Sequence, residues 1–274
     1  MKIAVINFSG NVGKTTVARH LLLPRIPGAE LIVVESVNAD GGPSGDRHGS
    51  PAQSLRGRQF AALQEYLQTI DSAVVDIGAS NVEELLDLMQ LYQGSHEDFD
   101  CFIVPTVPGP KQQQDTIATL IALSRLGVPA SRVKIVFNML EPAASVEDAF
   151  YLLQAFLAER PLATVNTACR FRANEIYARI RGHRGAQADL ATLASDDTDY
   201  KALIRQSPDI GEKLTLAEKL ATRRLASWAI TEHDACFAAL SLEEAQAPLV
   251  DSALGSTLNE ISAALPKPAR RAAR

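Results

Sequence analysis

MKIAVINFSGNVGKTTVARHLL, residues 1–22, is the stretch that decides the fold. Residues 3–6, Ile-Ala-Val-Ile, are a short apolar run of the kind that forms a buried strand. A tight loop follows, Ser9-Gly10-Asn11-Val12-Gly13, and Lys14-Thr15-Thr16 begin a helical pattern. Strand, glycine-containing loop and helix in this order predict a phosphate-binding loop. The backbone N–H groups of the loop and of the helix N-terminus then point at one spot, where the helix dipole favours an anion. In such a loop Lys14 reaches the outer phosphates and the Thr15 hydroxyl sits on a magnesium ion. The general pattern GxxxxGK[ST] asks for glycine five residues before Gly13, and this chain has Phe8 there.

Outward from that loop, apolar runs alternate with helical patterns. Strands are expected at 2–7, 31–34, 73–77, 101–105 and 133–137, and a sixth at 162–166. Phe60, Leu63, Leu67 and Ile70 recur at helical spacing, and Ile117, Leu120 and Ile121 mark a helix over 112–126 that Gly127 stops. Ser80 with Glu83 reads as a capping box before VEELLDLMQLY. This order predicts an α/β fold: a doubly wound, mostly parallel sheet with ligands at the carboxyl ends of the strands. From about residue 174 the strand signals stop, and helices are expected over 174–182, 187–206, 211–241 and 248–264. The chain is therefore divided into a phosphate-loop core (1–174), a helical extension packed on it (175–265) and a Pro-rich basic tail (266–274) expected to be disordered.

Composition narrows the function classes. The chain has 274 residues, 46% hydrophobic and 22% charged, enough for a sizeable core. The net charge of −5 does not mark a general nucleic-acid binder, although a local basic patch is compatible with it. Cys101, Cys169 and Cys236 lack metal or redox spacing and read as buried thiols of a reducing compartment. No signal peptide or membrane-length apolar run is seen, so a cytoplasmic location is expected.

Three further clusters carry chemistry. Asp76 ends the apolar run Ala73-Val74-Val75, where a carboxylate suits an outer partner of magnesium or a simple turn. The second strand leads into Glu35 and, five residues on, Asp40. Either can orient an attacking water or cap a turn, and the Gly-rich run GGPSGDRHGS behind them suits a nucleotide-ordered switch or an ordinary surface loop. Arg170, Arg172, Arg179, Arg181 and Arg184 lie in RFRANEIYARIRGHR (170–184) with one acid, Glu175. That patch is a candidate for weak, non-specific DNA binding, for contact with a partner's acidic surface, or for intrachain ion pairs.

Gly10, Gly13, Lys14, Thr15 and Thr16 fit a deviant loop of the form KGGxGKTT. In this the chain resembles the ParA/MinD superfamily of ATPases, which work as nucleotide-sandwich dimers. Asn11 replaces a glycine of that loop, and Ser9 stands where the family's second lysine reaches the partner's nucleotide. The resemblance implies ATP and Mg2+ as cofactors. It surrounds the nucleotide with Gly10, Asn11, Val12, Gly13, Lys14, Thr15, Thr16 and Asn138, and the metal with Thr15 and Asp76. It gives catalysis to Lys14, Asp76 and one of Asp40 and Glu35, with Asp40 preferred, since Val37 occupies the family's second acidic position. Asn138, just past the fifth strand, would read the adenine edge. A guanine reader wants Asn-Lys-x-Asp, whereas the chain has Asn138-Met139-Leu140-Glu141.

Further blocks resemble StbB-type plasmid stability and conjugation proteins: VESVNAD, RGRQF (56–60), IVPTVPGPKQQQDTI, KIVFNMLE and DDTDYKALIR. That resemblance implies a ParA-like Mg-ATPase switch in plasmid maintenance, partition or conjugative transfer, a homodimer with ATP that works beside a small DNA-binding plasmid partner. Arg56 and Arg58 are candidates to replace the lysine missing at Ser9. The rival readings are a nucleotide-binding module with little turnover and a P-loop kinase or ligase of a small metabolite.

Overall fold

Six strands form one fully parallel sheet: β1 (Lys2–Val5), β2 (Glu30–Val34), β3 (Ala73–Ile77), β4 (Cys101–Thr106), β5 (Val133–Leu140) and β6 (Arg170–Arg172). Their order is β2-β3-β1-β4-β5-β6. The computed structural model describes residues 1–34, 57–182 and 189–245. Glu35, Asp40, the Gly-rich loop, Arg56, Arg184, the helix expected over 248–264 and the tail 266–274 lie outside the described residues, as do the side chains of Arg58 and Arg181.

β1 is central, flanked by β3 and β4. The crossover after β1 runs towards β2 on one side and that after β4 towards β5 on the other, so the chain leaves β1 where the connections diverge. In such sheets that crevice is where ligands bind. Strand residues alternate between the two faces. Ala4, Ile6, Val75, Phe102, Val104, Ile135 and Phe137 pack against α2 (Gly57–Thr69), α3 (Val82–Leu91), α4 (Pro110–Arg125) and, past the short α5 (Val146–Ala149), α6 (Tyr151–Glu159). Ile3, Val5, Val74, Ile103 and Val136 face the other way, onto the helix after the loop and the far end of the long helix α10 (Ile210–Leu240).

The helix after the loop starts as α1 (Lys14–Thr16) and continues as a π-helical stretch over Val17–Leu22. Pro24 has no N–H to offer the His20 carbonyl four residues back. Arg25 supplies the missing donor, bonding the His20 and Leu21 carbonyls at 2.9 and 3.0 Å, and also pairs with Asp234 on α10 at 2.7 Å. The helix end at Gly127 is as expected: φ is +90°, and Val128 N–H reaches the Leu123 carbonyl while Gly127 N–H reaches Ser124.

Several expectations are corrected. Residues 162–166 touch the sheet only through a bridge from Thr164 to Lys134, and the sixth strand is Arg170–Arg172. Asn166 causes the delay, because its side chain accepts from Ala168 N–H and its carbonyl accepts from Cys169 N–H, turning the chain before it rejoins β5. β5 itself runs on to Leu140, so Asn138 lies inside it. α3 begins after Asn81, which places Ser80 outside the capping position.

The helix expected over 187–206 is two, α8 (Leu190–Ala194) and α9 (Tyr200–Gln206), which follow α7 (Ile176–Gly182). Asp196 takes the Thr198 N–H and Asp199 caps α9 through Ala202 N–H, so the run of short acids between them makes a turn. α5 and α6 carried a readable signal: Ser145 caps Asp148 N–H at 3.0 Å, and Val146, Phe150, Leu153 and Leu157 follow at helical spacing. A short α11 (Leu242–Ala245) ends the described chain. All three cysteines are buried and free, and Cys169 and Cys236 lie in the same apolar cluster between the sheet and α10.

Candidate functional site

At the carboxyl end of β1 the loop 9–13 wraps the start of α1. Gly13 holds it at φ +88°, a left-handed conformation that side chains resist. A Cβ there would also overlap the Asn138 amide nitrogen. The N–H groups from Gly10 to Thr16 have no acceptor among the described residues, and they surround the mouth of a cavity of about 710 Å³. That is a nest of donors suited to a polyanion.

The loop is fixed from behind by buried polar groups. Asn7 donates to the Pro105 carbonyl (2.9 Å) and the Thr116 hydroxyl (2.8 Å), and accepts from Ser9 N–H (2.8 Å). Thr119 accepts from Phe8 N–H at 3.1 Å. Each group is buried and partnered, so the network costs little and holds one loop shape. Asn7, Thr116 and Thr119 are not legible as site residues in the sequence, since their partners lie about a hundred residues away.

The predicted chemical groups converge on this spot. Lys14 Nζ is buried and donates to the carbonyls of Asn7 (3.0 Å) and Ser9 (2.7 Å). Burial pulls its ammonium down from the usual 10.5 to about 8, and the charge of Asp76 opposes part of that shift. Thr15 Oγ1 donates to Asp76 Oδ2 at 2.7 Å, with Asp76 buried at the end of β3. A hydroxyl and a carboxylate in contact, both hard oxygen donors, fit a magnesium site that takes its other ligands from phosphate and water. No group of three or more His, Cys, Asp and Glu that could hold a metal exists among the described residues.

Gly10, Asn11, Gly13, Lys14, Thr15 and Thr16 line the cavity, while Val12 is buried beneath it. Asn138 lines it too, but the structure ties its amide to the loop: Nδ2 donates to the Val12 carbonyl at 2.9 Å and Oδ1 accepts from Met139 N–H at 2.8 Å. One N–H and one lone pair of the amide remain. Ser9 is buried, and Asp115, whose backbone carbonyl accepts from the Thr119 hydroxyl, pairs with Lys111 at 2.7 Å.

The opposite wall comes from β6 and α7: Arg172, Ala173, Asn174, Tyr177 and Ala178. Arg172 pairs with Glu232 of α10 at 3.6 Å, and its backbone N–H donates to the same carboxylate. The Tyr177 hydroxyl hydrogen-bonds His233 Nε2 at 2.7 Å, and its ring contacts those of His233 and His20. Burial, followed by the Arg25 charge, pushes His233 down to about 3, so the ring is neutral. The basic segment is thereby divided. Arg172 stands at the cavity, Arg179 pairs with Glu175 at 3.4 Å, and Arg170 is exposed. Asn174 and Tyr177 are functional candidates that the sequence named only as part of that segment.

No protein-family model and no curated protein matches the chain. The solved structures similar to it include two at 14% identity. The ATP complex of a McdA variant from Cyanothece covers 65% of this chain and 85% of its own, with a TM-score of 0.41. Apo McdA from the same source covers 80% and 98%, with a TM-score of 0.44. No helix among the described residues is long and apolar enough to cross a membrane.

Proposed function

We propose that the chain is a slow Mg-ATPase used as a switch, of the ParA/MinD kind, in which bound nucleotide governs association with a second copy and with a partner. The observation that supports this most is the convergence on one cavity of a left-handed Gly13, buried Lys14 and the Thr15–Asp76 pair. The phosphates would lie on the loop N–H groups, Mg2+ on Thr15 with Asp76 behind it, and the adenine between Asn138 and the Tyr177 wall. Lys14 would turn from the loop carbonyls to the outer phosphates and stabilise charge as the terminal phosphoryl group departs. Asp40 is proposed to orient the attacking water, with Glu35 as the alternative. A role in plasmid maintenance, partition or conjugative transfer, beside a small DNA-binding protein, is the finer form of this proposal and rests on the sequence blocks alone.

Phosphate release from Mg-ATP tests the reading. Turnover is expected well under the median enzyme rate of about 10 per second. Asp40→Ala should lower it while leaving ATP affinity nearly intact. An inactive Glu35→Ala beside an active Asp40→Ala would move the water role to Glu35. Ser9 in place of the family's second lysine and Val37 in place of its second acid favour a second reading, a nucleotide-binding module without turnover. Tight Mg-ATP binding with no phosphate release would select it.

A further inference from the structure

α10 has two apolar faces. One is the expected face, with Ala226, Ala229, His233, Cys236 and Leu240 buried against the rest of the fold. The other is exposed over Ile210, Leu214 and Ala217 and half-buried at Ala221. Ile210, Leu214, Ala217 and Ala221 follow each other at intervals of four, three and four residues, which places them in one line along the helix. Ile210 is 77% and Leu214 63% exposed, an unusual state for large aliphatic side chains on a regular helix. A helix apolar on both sides is normally covered on both sides.

We infer that this line is an interface on which a second copy of the chain docks its own α10, antiparallel and centred between Thr215 and Leu216. The seam is self-complementary in that orientation. Ile210 meets the partner's Ala221, and Leu214 meets the partner's Ala217, so a large side chain fills the space over a small one in every layer. A parallel pair would set Ile210 and Leu214 against their own copies at one end and leave alanine against alanine at the other. It would also place the exposed Arg224, next in the line, against its own copy. In the antiparallel pair Arg224 comes near the level of the partner's Asp209. The contact spans about 16 Å of helix. It uses no residue of the cavity, so it is a second contact, separate from the nucleotide-governed association, and does not depend on the nucleotide reading.

The test is sedimentation equilibrium of the full chain without nucleotide, with disulfide trapping. Wild type is expected to dimerise, and Leu214→Glu to weaken dimerisation at least about tenfold while the far-ultraviolet circular dichroism of the chain stays the same, because Leu214 is exposed within one chain. The double variant Ile210→Cys, Ala221→Cys should cross-link between chains under mild oxidation, since those two positions on one helix lie too far apart to join. Ile210→Cys alone should not. Cross-linking by Ile210→Cys alone would mean a parallel pair and overturn the proposal. A wild-type monomer at all concentrations would overturn it too, and would leave the stripe to another occupant such as the chain's own residues 246–274. Dimerisation unaffected by Leu214→Glu would place the interface elsewhere.

Discussion

The two walls of the cavity are built by different means. The loop wall, residues 9–16, presents backbone N–H groups held in place by a left-handed glycine and by fully partnered buried side chains behind it. The β6–α7 wall presents side chains, Arg172, Asn174 and Tyr177, and two of these are anchored by consecutive residues of α10, Glu232 and His233. The first wall is set by local geometry. The second is set by a helix some sixty residues further along the chain. A nucleotide would grip the first by its phosphates and meet the second with its base.

That contrast is open to attack by binding tripolyphosphate and ATP in parallel. Gly13→Ala should have the largest effect. It forces a side chain into φ +88° and into the Asn138 amide, and both ligands should lose more than about a hundredfold in affinity. Adding Asn138→Gly relieves the overlap alone and should restore only part of the loss. His233→Ala comes next. It unties Tyr177, and ATP affinity should fall about tenfold while tripolyphosphate is unaffected, as an imperfectly held aromatic contact predicts. Equal losses for both ligands would mean that the walls are not independent.

Acidity separates the walls as well. Lys14, with its ammonium near 8, must be protonated to meet phosphate. Affinity for both ligands should therefore be flat below about pH 7 and fall about tenfold per unit above pH 8. His233 acts on stability instead. It is neutral in the fold down to about pH 3, whereas the unfolded ring takes a proton near 6.5. The unfolded state then binds more protons between those values, and stability should drop as pH falls through that window, by at most about 1.4 kcal/mol per unit. Urea denaturation at pH 4 to 7 checks this, and His233→Gln should flatten the slope. Glu232→Gln should have the smallest effect, a change of about two- to threefold in ATP affinity, because its pair with Arg172 is partly open to solvent.

The same difference decides what the sequence reveals. Gly13, Lys14 and Thr15 are contiguous, because a backbone nest and a helix start need neighbours in the chain, and Asp76 follows from the strand that must lie beside β1. The parallel sheet was legible from its runs of β-branched residues. The second wall was legible only as an arginine-rich segment. What makes it a wall is a set of pairings with Glu232 and His233, and no local pattern encodes a partner at that separation. The misplaced sixth strand has the same origin: residues 162–166 are apolar enough for a strand, and only the Asn166 turn shows why the pairing waits until Arg170.

Under the proposed function the loop wall would hold the phosphates of an adenine nucleotide with magnesium. Calorimetric titration of ATP into the wild-type chain and into Lys14→Ala, with and without Mg2+, tests it most directly. One Mg-dependent site per chain is expected, tighter for ATP than for GTP, with a loss of about 2–3 kcal/mol in Lys14→Ala. Equal affinity in the two proteins, or a clear preference for GTP, would contradict it.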